Sequence, residues 1–178
     1  MIIPTRYKEV KESDIPKKIQ DFIKNIKTHK KGLYIHGTVG SGKTHLMFAI
    51  GKFAEEKQIV NPIWAFNSTD LLRQLREDFN SSDKYENKHL FQKLLEFRGL
   101  LMIDDIGAEK LSDWVLETFY LIVNKRYEEV LPTIFTSNYP LSDLAEKVGD
   151  RTVSRIIESC DVLPISGDDK RVKKYKKI

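Results

Sequence analysis

Apolar positions along this chain follow two rhythms in turn: short unbroken runs, then spacing of three or four residues. Ile15, Ile19, Phe22, Ile23 and Ile26 form one stripe and predict an amphipathic helix over 16–27. "GLYIHG" (32–37) is a run of strand length, and "KTHLMFAIGKFAEEK" (43–57) returns to helical spacing. "PIWAFN" (62–67) reads as a buried strand, after which "STDLLRQLREDF" (68–79) opens on cap-type residues and continues as a helix. A polar break, "NSSDKYEN", separates it from an amphipathic "KHLFQKLLEF" (88–97). "GLLMIDD" (99–105) is a strand that ends in two acids, and "LSDWVLETFYLIVNKRYEE" (111–129) is a long helix with Ser112 as its N-cap. "PTIFTSN" (132–138) and "DVLPIS" (161–166) read as the remaining strands, with "GDRTVSRIIE" (149–158) as a helix between them.

Strands alternating with helices predict an α/β fold, a parallel sheet covered by helices on both faces. Ligands in such sheets bind beyond the carboxyl ends of the strands. Three predicted strands end in chemically pointed groups: "HGTVGSGKT", "DD" and "TSN". There is no internal repeat and no interdomain linker. The expectation is one domain over 1–178, with a lead-in segment and helix at 1–30, a core at 31–166 and a basic tail at 167–178.

Composition changes this picture little. Charged residues at 31% and hydrophobic residues at 40% of 178 belong to an ordinary globular chain. The net charge of +4 is concentrated at the end: "KRVKKYKKI" holds six Lys or Arg and no acid, which leaves −2 for residues 1–169. The body is therefore not basic, and the tail reads either as a solvated end or as a nucleic-acid contact. One cysteine, Cys160, excludes an internal disulfide and a cysteine-based zinc site. No apolar run approaches the ~20 residues of a membrane span. The opening "MIIPTRYKEVK" lacks a signal-peptide core. A cytoplasmic protein without membrane partners is expected.

"GTVGSGKT" (37–44) matches G-x-x-x-x-G-K-[ST] between a strand and a helix. Gly37, Gly40 and Gly42 let the backbone curl around one anion, with Thr38, Val39 and Ser41 between them. The following helix adds its positive dipole end. Lys43 should reach the β- and γ-phosphates of ATP, the Thr44 hydroxyl should bind Mg²⁺, and His45 completes the nucleotide-binding stretch. Asp104 ends a buried strand about 60 residues later and should hold the metal together with Thr44. Asp105 stands where an attacking water is oriented or deprotonated, or else caps the turn "DDIG". Asp is one methylene shorter than Glu, roughly 1.5 Å, which predicts slow turnover. Asn138 can donate to the γ-phosphate or hold the water, or form an Asx turn before Pro140.

"HGTVGSGKTHL", "LLMIDDIGAEKLSDW", "TIFTSNYPLSDL" and "GDRTVSRIIE", in that order, resemble the AAA+ ATPases of the DnaC/DnaI helicase-loader type and their relative, the transposition helper IstB. "IPTRY" resembles the segment that introduces that ATPase domain, which adds Tyr7 to the nucleotide contacts. The resemblance runs from Ile3 to about Val172 and implies a P-loop NTPase three-layer sandwich, an AAA+ core with no helical lid domain. It implies Asn138 as sensor 1, Arg155 as an arginine finger acting on a neighbouring subunit's ATP, Arg151 beside it, and Arg171 as sensor 2. A surface ion pair of Arg155 with Glu158 or Asp150 is the plainer alternative. The family's helical insert lines a single-stranded DNA path, so Arg73, Arg76, Lys84 and Lys88 are candidate phosphate contacts. The same stretch carries Glu77, Asp78, Asp83 and Glu86 and also reads as a solvated helix pair. A replicative helicase and self-assembly into an oligomer or filament are the implied partners. The domain with which loaders grip the helicase is expected to be missing from this chain. The alternatives are an IstB-like helper acting on duplex DNA and a low-turnover, nucleotide-switched binding module.

Overall fold

The computed structural model describes residues 1–80 and 90–167. Five strands form one sheet: β1 (Gly32–Gly37), β2 (Ile63–Asn67), β3 (Leu100–Asp104), β4 (Thr133–Ser137) and β5 (Cys160–Ile165). Their order is β2-β3-β4-β1-β5 and every pairing is parallel. The chain runs from β1 to one edge of the sheet, returns through β3 and β4, and crosses β1 to add β5 on the other side. All five carboxyl ends therefore share one rim.

Alternation along the strands builds two cores. Leu33, Ile35, Leu100, Met102 and Ile134 face one layer, made of α1 (Lys17–Lys24), α2 (Ile26–His29) and α3 (Lys43–Glu56). Tyr34, Leu101, Ile103 and Phe135 face the other layer. That layer comprises α4 (Ser68–Asn80), α5 (Leu90–Glu96), α6 (Asp113–Glu128), α7 (Leu141–Val148) and α8 (Asp150–Ser159). Among the described residues no helical layer follows β5, and no helix is long and apolar enough to cross a membrane.

Two elements depart from the sequence reading. The stripe over 16–27 is split at Asn25, whose side-chain amide donates to the Asp21 carbonyl at 2.9 Å and competes with the helical ladder. Helix α7, absent from the sequence reading, follows the turn-rich "SNYP" and buries only Leu144 and Val148. Ser112 does cap α6, accepting the Val115 amide at 3.3 Å.

Candidate functional site

The turn between β1 and α3 depends on two glycines. Gly42 has φ 102°, a left-handed conformation that turns the chain directly into α3. At Gly37 a Cβ would fall 2.0 Å from the Ile165 carbonyl oxygen of β5, so the neighbouring strand admits no side chain there. Gly40, Gly42, Lys43 and Thr44 line a cleft of about 300 Å³ at the shared rim. The amino end of α3 thus faces a concave, partly enclosed space, the setting in which helix termini hold anions.

Lys43 is buried, with 6% of its surface exposed. Its ammonium donates to the Gly37 and Thr38 carbonyls at 2.9 Å each and to Asn138 Oδ1 at 2.8 Å. Thr44 Oγ1 donates to the Asp104 carboxylate, 2.9 Å from Oδ1 and 3.1 Å from Oδ2. Thr136 Oγ1 donates to Asp104 Oδ1 at 2.6 Å and accepts the Asp105 amide at 2.8 Å. Burial pushes the Asp104 carboxyl above the usual range. The hydroxyls of Thr136 and Thr44 oppose that rise, Asp105 adds to it, and the Lys43 charge lowers it.

A hydroxyl beside a carboxylate is the hard-oxygen pair that Mg²⁺ takes when phosphates supply further ligands. Among the described residues no group of three or more His, Cys, Asp or Glu is placed to cage a metal. The donor set therefore suits a metal held jointly by protein and nucleotide.

Asp105 has φ 60°, uncommon for a residue with a side chain. Its Oδ1 accepts Asn138 Nδ2 at 2.8 Å. Asn138 thus spends its amide on Lys43 and Asp105, not on an Asx turn before Pro140. The Asp105 carbonyl accepts the Ala108 amide at 3.2 Å, a main-chain turn that leaves its carboxylate on Asn138. Tyr7, stacked on Phe48 at 4.8 Å between ring centres, lines the cleft with Val39 and His45. His45 Nε2 lies 3.0 Å from Asp14 Oδ2.

Thr38 and Ser41 belong to the loop but not to the cleft lining; Ser41 is buried and Thr38 Oγ1 donates to the Gly167 carbonyl. Arg6 lines the cleft and was missed. Its signal was present, since it adjoins Tyr7 in "IPTRY". Thr136 and Ser137 were also missed, because only pairing of β4 beside β3 and β1 shows which loop their hydroxyls reach.

Arg151 and Arg155 do not line this cleft. They lie on α8 against α6, Arg151 stacked on Tyr120 at 4.1 Å and Arg155 on Tyr127 at 4.5 Å. Arg155 Nε donates to Asn124 Oδ1 at 3.1 Å, and Nη1 is 3.7 Å from Glu158 Oε1. On α4, Arg73 is held by Asp70 at 3.6 Å and Glu77 at 3.1 Å, while Arg76 sits 4.7 Å over the Trp114 ring. Lys84, Lys88 and Arg171 lie outside the described residues.

A family described as "IstB-like ATP binding protein" matches residues 9–178. The chain belongs to that family. It is 32% identical over 129 residues to the replicative helicase loader DnaI of Bacillus subtilis (strain 168), covering 71% of this chain and 40% of DnaI. It is 35% identical over 124 residues to the chromosomal replication initiator protein DnaA of Francisella tularensis subsp. novicida (strain U112), covering 69% of this chain and 24% of DnaA. The chain thus spans less than half the length of these curated relatives. A crystal structure of the DnaC helicase loader superposes with a TM-score of 0.77 at 31% identity, over 92% of this chain and 100% of that one. A crystal structure of DnaI gives 0.74 at 26%, over 96% and 95%. The fold is that of an AAA+ P-loop ATPase domain, and the family is ATP-binding.

Proposed function

We propose that this chain binds Mg²⁺–ATP, hydrolyses it slowly, assembles side by side with copies of itself and engages single-stranded DNA during loading of a replicative helicase. The observation that carries the nucleotide chemistry is the hydrogen-bonded convergence of Lys43, Thr44, Asp104, Asp105 and Asn138 from three strand ends. Similarity to DnaI and DnaC supports the helicase partner. The single-stranded DNA reading is supported by a DnaA structure "bound to AMPPCP and single-stranded DNA", which at 20% identity shares the fold.

In this reading Lys43 leaves the loop carbonyls to contact the β- and γ-phosphates, and the loop with the α3 terminus carries the remaining negative charge. Thr44 and Asp104 would hold Mg²⁺, which when bound would draw charge from the phosphate oxygens. Asp105 takes a proton from the water that attacks the γ-phosphorus while Asn138 orients it. The bond to the bridging oxygen breaks and yields ADP and phosphate. Arg155 completes the site of an adjacent copy, where an arginine can contribute about 10³–10⁵ in rate.

The test pairs phosphate release with fluorescence anisotropy of labelled single- and double-stranded oligonucleotides. The wild type should release phosphate slowly and bind single strands with an ATP analogue. Asp105→Asn should keep nucleotide affinity and lose turnover, and Lys43→Ala should lose affinity. A second reading consistent with the family is an IstB-like helper acting on duplex DNA, and preference for the double strand would select it.

A further inference from the structure

The left-handed backbone at Asp105 requires support, because a non-glycine residue holds that conformation only where its surroundings over-determine it. Its amide is fixed by Thr136 Oγ1 and its carbonyl by Ser68 Oγ, at 2.8 and 2.9 Å. The other end of that same peptide is held too, since the Ile106 amide donates to the Thr136 carbonyl at 2.9 Å, and Ser137 Oγ fixes the next peptide by donating to the Ile106 carbonyl at 2.7 Å. Three of these anchors come from β4. The Ala108 amide shares the Asp105 carbonyl at 3.2 Å and Asn138 holds the side chain, while Ser68 is the anchor supplied by a helix, from the first turn of α4.

Ser68 is fully buried, and its hydroxyl is not needed to cap α4. Asn67 does that, with Oδ1 accepting the Thr69 amide at 3.1 Å and the Asp70 amide at 3.4 Å.

We propose that Ser68 is a positioning residue for ATP hydrolysis, holding the Asp105 carbonyl so that the Asp105 carboxylate stays on Asn138 and faces the attacking water. This rests on the hydrolytic role of Asp105 proposed above. A displaced Asp105 carboxylate would leave the Lys43 bonds to the loop carbonyls and the Thr44–Asp104 pair in place. The nucleotide would then bind normally and react slowly.

The experiment measures single-turnover hydrolysis and nucleotide affinity for the full chain carrying Ser68→Ala, Ser68→Cys, Asp105→Asn, or Asp105→Asn with Ser68→Ala. Ser68→Ala should slow hydrolysis roughly ten- to a hundredfold, the scale of a displaced catalytic group, with nucleotide affinity unchanged. Ser68→Cys, a weaker donor of similar shape, should fall between Ala and wild type, and it carries the test if the Ala variant does not fold. In the Asp105→Asn background Ser68→Ala should change nothing, because its effect runs through Asp105. A wild-type rate in Ser68→Ala overturns the positioning role alone, as does an equal slowing in both backgrounds. A wild-type chain that binds ATP but releases no phosphate overturns the hydrolytic reading and this inference together.

Discussion

Cys160 opens β5 and is buried, its Sγ 3.8 Å from the Thr133 carbonyl and from Ser159 Oγ. Burial pushes the thiol from 9.0 up to about 12. The folded state therefore keeps its proton where the unfolded chain gives it up, and the stability this provides is intact below pH 9 and lost as pH rises toward 12. Tyr34, raised by burial from 10.0 to about 12, acts with the same sign. Thermal melts should show Tm falling above pH 9, and Cys160→Ala should flatten part of that fall. A thiol reagent should label native Cys160 no faster than the chain unfolds.

Among the elements, Arg126 of α6 does what no apolar side chain could. Only 3% of it is exposed. Its Nε donates to Thr133 Oγ1 at 2.6 Å, Nη1 to the Phe97 carbonyl at 3.0 Å, and Nη2 to the Gly99 and Pro132 carbonyls at 2.7 Å each. One guanidinium therefore ties α6 to the starts of β3 and β4. Burial draws its pKa down to about 9, so it stays charged at neutral pH. Arg126→Met would take the guanidinium donors from the Phe97 and Gly99 carbonyls and leave that of Pro132 with the Leu101 amide alone, and should cost on the order of 3 kcal/mol in urea unfolding, with nucleotide affinity kept. Arg126→Lys should recover only part, because a point charge cannot span the same fork. The spacing over 111–129 predicts a long helix but not this role of Arg126, because the acceptors lie 27 and 29 residues before it. Strands β1, β3 and β4 were legible because buried parallel strands are unbroken apolar runs, and α6 because Ser112 marks its start. Helix α7 was hidden by the turn-rich "SNYP" before it and by an apolar face that buries only Leu144 and Val148. Asp104, Asp105 and Asn138 were legible from strand ends, whereas Ser68 and Thr136 act through contacts that only the sheet order creates.

For the whole molecule, Arg155 and the cleft lie apart, so one copy does not bring them together. If a neighbour supplies the arginine, Arg155→Ala and Lys43→Ala should each be nearly inactive alone. Mixing the two should restore phosphate release, because some junctions then pair an intact cleft with an intact Arg155. A mixture as inactive as its parts would leave Arg155 to its stacking on Tyr127 and its contact with Glu158. The parallel sheet has a further consequence of a genetic kind. Its carboxyl rim carries the proposed chemistry, while Arg126 fastens the opposite rim. Lesions of the two kinds should therefore separate in a mutant collection: alleles dead at every temperature around the cleft, and conditional, heat-sensitive alleles around Arg126. Suppressors of the second class should arise as general stabilisers anywhere in the chain, and suppressors of the first class should not.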